Sequence, residues 1–337
     1  MTPRPRISSI QPVWALSGGR LTLEGTNLVD DMTALPVVSL GVSQARVVCA
    51  SSQAITVIVP PEAEGGQTPV RLEGVPGETA FVELGRPVAT GLHQVDSPAI
   101  DHEGRLYLTY SGTRGEQSPV SLFRVAPDGF REPFVTGMTN ATSMAFSPDG
   151  HLHVSSRFEG TVYRVDPDGT YEVAVTDLGV ACGLAFSPDG TLYVGDRSGT
   201  IFRVPESGPA VPFATLPPSV AAFHLVWGPD DALYVSVPTL APRDSVYRID
   251  RTGKVDSVCS TLGRPQGLAF DSQGTLYVVE ALAGVSGLYR VAQDGTATRV
   301  LTAGSAVGLA FDPAGGLVVV SSDTAYRFDL PLRPLQL

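Results

Sequence analysis

Apolar positions in this chain come in short runs divided by turn formers, and over most of its length the runs recur at a fixed interval. The marker is Ala145-Phe146-Ser147-Pro148-Asp149-Gly150, repeated letter for letter as Ala185-Phe186-Ser187-Pro188-Asp189-Gly190. Looser copies begin at Val226, Ala269 and Ala310, and a worn one at Ala99. Their anchors Ile100, Phe146, Phe186, Trp227, Phe270 and Phe311 lie 46, 40, 41, 43 and 41 residues apart. One unit has apolar runs at 183–186, 191–194, 200–204 and 210–214, hence four strands in roughly 40 residues, the signature of propeller blades. In the turn, Pro presets φ, Asp caps locally and Gly takes the left-handed position before the next strand. A second turn set (Ala126-Pro127-Asp128-Gly129, Asp166-Pro167-Asp168-Gly169, Asp250-Arg251-Thr252-Gly253, Gln293-Asp294-Gly295) keeps the same register between third and fourth strands.

Six anchors predict six blades. The last unit stops after its third strand, at 324–329, while residues 86–92 resemble the fourth strand at 132–138. Residues near 82–90 are therefore expected to complete the last blade and close the ring, removing exposed sheet edges. Upstream the repeat is missing. Runs at 7–10, 20–24, 37–40, 45–49, 55–59 and 68–72 predict a small β-sandwich. The expected fold class is all-β, with a sandwich over 1–81 and a six-bladed β-propeller of four-stranded antiparallel blades over 82–337.

Composition narrows this picture. Apolar residues at 43% and charged residues at 17% suit a sizeable core. A net charge of −11 disfavours nucleic acid and anionic membranes. No run approaches the ~18 apolar residues of a membrane span, so no membrane insertion is expected. The start of the chain carries no apolar run of signal-peptide type, so a cytoplasmic location is expected; a secreted chain whose leader had been removed would read the same. Cys49, Cys182 and Cys259 are odd in number and far apart, which argues against a disulfide framework.

In a four-stranded meander, the loop before the first strand and the exit of the second open on one face. Four residues before the anchors stand Asp96, Thr142, Cys182, Phe223, Gln266 and Val307. The second-strand exits carry Tyr110, Ser156, Asp196, Val237, Glu280 and Ser322, with Arg157, Arg197, His93 and His224 nearby. The candidate ligand-binding mouth therefore comprises Asp96, Thr142, Cys182, His224, Gln266, Asp196, Glu280, Arg157 and Arg197. The arginines suit an anionic ligand; the competing reading pairs them with Asp196 or Glu280 in salt bridges. His151 and His153 share a strand face in a metal-pair geometry but lack a third ligand, and packing is the favoured reading. Asp166-Pro167-Asp168-Gly169 lacks the distant Glu of a calcium loop and reads as a turn. The chain has no Gly-x-Ser-x-Gly, no His-Glu-x-x-His and no phosphate-cradling Gly-rich loop.

Ile7-Ser8-Ser9-Ile10-Gln11-Pro12, with Ser17-Gly18-Gly19-Arg20-Leu21-Thr22-Leu23-Glu24-Gly25-Thr26-Asn27-Leu28 and Ile55-Thr56-Val57-Ile58-Val59-Pro60-Pro61, resembles an IPT/TIG domain. That resemblance implies an immunoglobulin-like sandwich serving as interaction or spacer module. The array over about 82–330 resembles NHL-repeat propellers and the senescence-marker-protein/gluconolactonase family. The latter resemblance implies a divalent metal in the channel, held by carboxylates and asparagines at the pre-strand positions. Here Asp96-Ser97-Pro98-Ala99-Ile100 stands for the first such motif, whereas Cys182, Phe223-His224 and Gln266 replace the other ligands. Asp96, Cys182 and His224 offer ligand types suited to Zn²⁺, but one carboxylate, one amide, one thiol and one phenyl do not make a hard-cation site. The expected function is accordingly a non-catalytic, monomeric binding or scaffolding protein that recognises a small molecule or protein at the channel face. The alternative is a gluconolactonase-like metal-dependent lactone hydrolase, and a third reading is a lyase using His93 or His224 as base.

Overall fold

Buried side chains alternating with more exposed ones over Arg20–Thr26, Val38–Leu40, Ala54–Ile58 and Gly66–Leu72 build the N-terminal unit. Leu21 and Leu23 of one strand meet Ile55 and Val57 of another in a core that also takes Val38, Leu40 and Val70. The computed structural model describes residues 5–29, 35–73, 80–93, 96–205 and 208–328. The sandwich strands are β1 (Arg6–Gln11), β2 (Trp14–Ala15), β3 (Arg20–Thr26), β4 (Val38–Leu40), β5 (Ser43–Ala50), β6 (Ala54–Ile58), β7 (Gly66–Leu72) and β8 (Ala80–Leu84). The boundary expected at residue 82 falls inside β8, which pairs antiparallel with β7.

After Gly85 the chain enters β9 (Arg86–Ala89) and then the repeats. These are β10 (Ala99–Ile100), β11 (Leu106–Thr109), β12 (Leu122–Val125) and β13 (Arg131–Val135); then β14 (Ala141–Phe146), β15 (Leu152–Ser156), β16 (Thr161–Val165) and β17 (Tyr171–Val175). Next come β18 (Ala181–Phe186), β19 (Leu192–Asp196), β20 (Thr200–Val204) and β21 (Val211–Thr215), followed by β22 (His224–Trp227), β23 (Leu233–Val237), β24 (Asp244–Ile249) and β25 (Val255–Leu262). The remainder are β26 (Pro265–Phe270), β27 (Leu276–Glu280), β28 (Gly287–Val291), β29 (Ala297–Thr302), β30 (Gly308–Phe311), β31 (Leu317–Val320) and β32 (Ala325–Phe328). The strand expected at 324–329 runs to Phe328, and Asp329 lies outside the described residues.

Among the described residues five separate four-stranded sheets result, the last in the order β30-β31-β32-β9, so the repeats form a propeller-like arrangement of four-stranded blades. The expectation of six separate blades needs correction. Strands β26–β29 make the same meander but do not stand alone: they end a 12-stranded sheet that continues through β2 and β8 into the sandwich. The cause is β2, a strand the sequence pattern did not suggest. It pairs parallel with β8 on one side and with β29 on the other. Gly18 (φ 73°) and Gly19 permit the close approach, since a Cβ on Gly19 would stand 2.7 Å from the Thr302 carbonyl oxygen. Trp14 stacks on Phe328 with centroids 5.5 Å apart, and the Leu16 N–H donates to Thr302 O at 2.8 Å. The two units are welded by backbone hydrogen bonds and a shared core.

The recurring anchor also has a physical role. Tyr107 meets Phe146, His153 meets Phe186, Tyr193 meets Trp227, Tyr234 meets Phe270 and Tyr277 meets Phe311, with ring centroids 4.9–5.4 Å apart. Each of these five anchors is thus a wedge against the second strand of the preceding unit, worth about 0.5–1.5 kcal/mol beyond its buried area. The residue after the anchor locks the turn. Ser147 and Ser187 bond Asp149 and Asp189, whereas Asp101, Asp271 and Asp312 accept turn N–H groups directly.

Candidate functional site

The first strand of each meander is a sheet edge, and these edges line a central channel. Strands β10, β14, β18, β22, β26 and β30 abut one another in that cyclic order. A cavity of about 420 Å³ runs inside this ring from Ser97, Ser143 and His224 at one end to the anchors Phe146, Phe186, Trp227, Phe270 and Phe311 at the other. Its head is crossed by a polar link. His224 opens β22, and Asp96 and Ser97 precede β10, on the far side of the ring with two inner strands intervening either way. His224 Nδ1 lies 3.1 Å from Ser97 Oγ, and Nε2 lies 3.1 Å from Asp96 Oδ1. The second contact is close but poorly aligned. Among the described residues, His224 Nε2 and Asp96 Oδ2 are both buried without a hydrogen bond, and so is the hydroxyl of Ser236, opposite His224 on β23.

The predicted mouth residues divide by what they touch. Asp96 is 8% exposed, Cys182 1% and His224 3%, so these three lie inside rather than on the rim. Burial pushes the Cys182 thiol up to about 12, helped by the nearby Asp96 charge and opposed by Arg197 and Arg157. Among the described residues, however, no three His, Cys, Asp or Glu side chains are grouped to hold a metal ion, so Asp96, Cys182 and His224 do not form the Zn²⁺ set that their residue types suggested. Both imidazole nitrogens already face protein oxygens, and a buried neutral thiol is a poor ligand.

The buried acids Asp196 and Glu280 are loop caps. Asp196 accepts the Val180 N–H at 2.8 Å and the Ser198 hydroxyl. Glu280 accepts the N–H groups of Gly263, Arg264 and Leu282, the latter two at 2.8 and 2.7 Å. Thr142 donates to Asn140 O at 2.8 Å, and Gln266 is half-buried at the start of β26. Arg157 donates to Ser111 Oγ at 3.2 Å. No ion pair among the described residues joins Arg157 or Arg197 to Asp196 or Glu280, because backbone N–H groups already occupy those carboxylates.

His153 packs edge-on against Phe186 at 4.9 Å, and burial lowers its pKa, as fits a packed neutral imidazole. Asp166-Pro167-Asp168-Gly169 is a turn in which Asp168 accepts the Thr170 N–H at 3.0 Å. Ser97, Ser143 and Ser236 were absent from the predicted site. Ser97 adjoins Asp96 in sequence, but its meeting with His224, 127 residues away, leaves no local signal.

Residues 5–81 match the model of the IPT/TIG domain. No curated protein matches the chain. Among solved structures, a gluconolactonase from Xanthomonas campestris aligns with 87% of this chain and 97% of its own at 16% identity and TM-score 0.62. An auxiliary nutrient binding protein from Bacteroides ovatus aligns with 97% of this chain and 98% of its own at 14% identity and TM-score 0.56. A Bacteroides thetaiotaomicron protein of unknown function gives the same coverage and identity at TM-score 0.61. Alignments of 97% span both the sandwich and the propeller. At these identities the likeness is one of fold.

Proposed function

We propose that the protein binds a small molecule in the propeller channel, with the IPT/TIG sandwich as a rigidly attached spacer or second contact. In this reading the ring has six units, β26–β29 counting as the sixth, with the sandwich ending at β8 and the ring beginning at β9. The observation that carries it is the buried Asp96 Oδ2, which has no hydrogen-bond partner among the described residues and belongs to the carboxylate beside His224 and Ser97 where those two line the 420 Å³ cavity. A buried carboxylate oxygen left without a donor costs about 1–3 kcal/mol or more, and a bound hydroxyl or amine would supply the missing partner. The cavity lies within the roughly 300–1,000 Å³ of small-ligand sites and combines an aromatic end with a few convergent polar groups. Arg157 and Arg197 are proposed contacts for an acidic ligand group. The acids Asp196 and Glu280 are given a structural role only. Metal-dependent lactone hydrolysis is not adopted, because these donors do not fit the ion.

The natural reporter is Trp227, which lines the cavity, whereas the other tryptophan, Trp14, is buried at the joint. A panel of small hydroxy acids, sugars and amines should contain compounds that shift Trp227 emission and raise the melting temperature, and Asp96→Ala should abolish both effects. Saturable binding that survives Asp96→Ala unchanged would remove the channel as the site.

A further inference from the structure

Ser97, His224 and Asp96 stand in the relation of nucleophile, base and orienting carboxylate. We propose that they form a serine acyl-transfer site acting on a small carboxylic ester admitted to the channel, an inference that rests on the channel being a small-molecule site. Three features point there. The imidazole is bridged on both sides, 3.1 Å from Ser97 Oγ at Nδ1 and 3.1 Å from Asp96 Oδ1 at Nε2, so the proton within its reach is that of the Ser97 hydroxyl. Ser97 and His224 both line the cavity, which brings the hydroxyl to a space a substrate can fill. Finally, the link spans the channel, and its outer carboxylate oxygen, Asp96 Oδ2, is buried without a hydrogen bond among the described residues. A purely structural bridge would have its polar atoms satisfied, as those of Asp196 and Glu280 are.

With the imidazole proton on Nε2, the nitrogen 3.1 Å from the Asp96 carboxylate, Nδ1 accepts the Ser97 proton as Oγ bonds to the ester carbonyl carbon and the carbonyl π pair moves to oxygen. When that tetrahedral adduct collapses, the carbon–alkoxy bond breaks and the alkoxide takes the proton from Nδ1, leaving acyl-Ser97 and an alcohol. Water, deprotonated by Nδ1, then attacks the acyl carbon; Ser97 Oγ leaves and recovers the proton, so ester and water give acid and alcohol. The Ser143 hydroxyl, on a residue that also lines the cavity, is the donor proposed for the transient oxyanion.

Diisopropyl fluorophosphate, small enough for the cavity, tests the site by intact-mass spectrometry and peptide mapping. One adduct on Ser97 is expected in the full-length protein, with hydrolysis of p-nitrophenyl acetate above background. Ser97→Ala should lose both, and His224→Gln and Asp96→Asn should each slow labelling on the order of 100-fold or more. Circular dichroism and the melting temperature verify that each variant folds. Ser97→Cys, alkylated by iodoacetamide faster than Ser97→Cys combined with His224→Gln, gives a second readout of the base. Wild-type protein that takes no adduct at Ser97, or ester hydrolysis unchanged in folded Ser97→Ala, overturns the proposal. If Trp227 emission still reports bound ligand in that event, the acyl-transfer site falls and the binding channel stands; if it does not, both fall.

Discussion

Replacing Trp14 by alanine should uncouple the sandwich from the propeller. Trp14 is 5% exposed, stacks on Phe328 and shares a core cluster with Leu16, Leu301 and Leu309. Burying a tryptophan removes roughly 150–250 Å² from water, worth about 4–6 kcal/mol at about 25 cal/mol/Å²; Trp→Ala changes in cores cost about 3–5 kcal/mol. At about 2–4 °C per kcal/mol, the loss corresponds to a fall on the order of 10 °C in melting temperature. The β2 backbone pairs with β8 and β29 do not need the indole, but with only two residues β2 depends on it to stay seated. Differential scanning calorimetry should show one cooperative transition in the wild type and a separate, earlier sandwich transition in Trp14→Ala. Limited proteolysis should cut the variant near Gly85, where the chain passes from β8 to β9. A single transition within about 2 °C of wild type would refute the idea that β2 and its indole carry the joint.

Asp101 is buried, and although burial alone would raise its pKa, hydrogen bonds from the Arg105 guanidinium and backbone and from Tyr107 hold it below the ordinary value. A depressed folded pKa contributes stability that is present above the unfolded value of about 3.9 and is lost as pH falls through the folded value. Asp101→Asn should therefore destabilise the protein at neutral pH and flatten the drop in melting temperature below about pH 4. Thiol titration with Ellman's reagent checks the channel interior. At pH 8 exposed Cys49 should react quickly and buried Cys182 and Cys259 only after denaturation; a fast native reaction at Cys182 would contradict a thiol pushed up to about 12.

The period of the repeat was legible because each unit must present the same aromatic wedge to its neighbour: Phe146, Phe186, Trp227, Phe270 and Phe311 make one contact in five settings. The turns were legible for the same reason, since Ser-Pro-Asp-Gly satisfies its own hydrogen bonds locally. The pre-strand positions directed attention to Asp96, Cys182 and His224, of which Asp96 and His224 come within 3.1 Å of each other. Their roles were not legible. Asp196 and Glu280 look like ligands in sequence, yet backbone N–H groups of their own loops take their oxygens.

Sequence alone determined the strands, the four-strand unit and its period, because alternation and turn chemistry act over a few residues. Tertiary structure decided how the two units join and what the channel contains. Trp14-Ala15 becomes a strand only because β8 and β29 offer unpaired edges on either side of it. Ser97 and His224 come within 3.1 Å only because the ring closes and brings opposite inner strands face to face. Both are contacts between residues far apart in the chain, and nothing in the local pattern at either end records them.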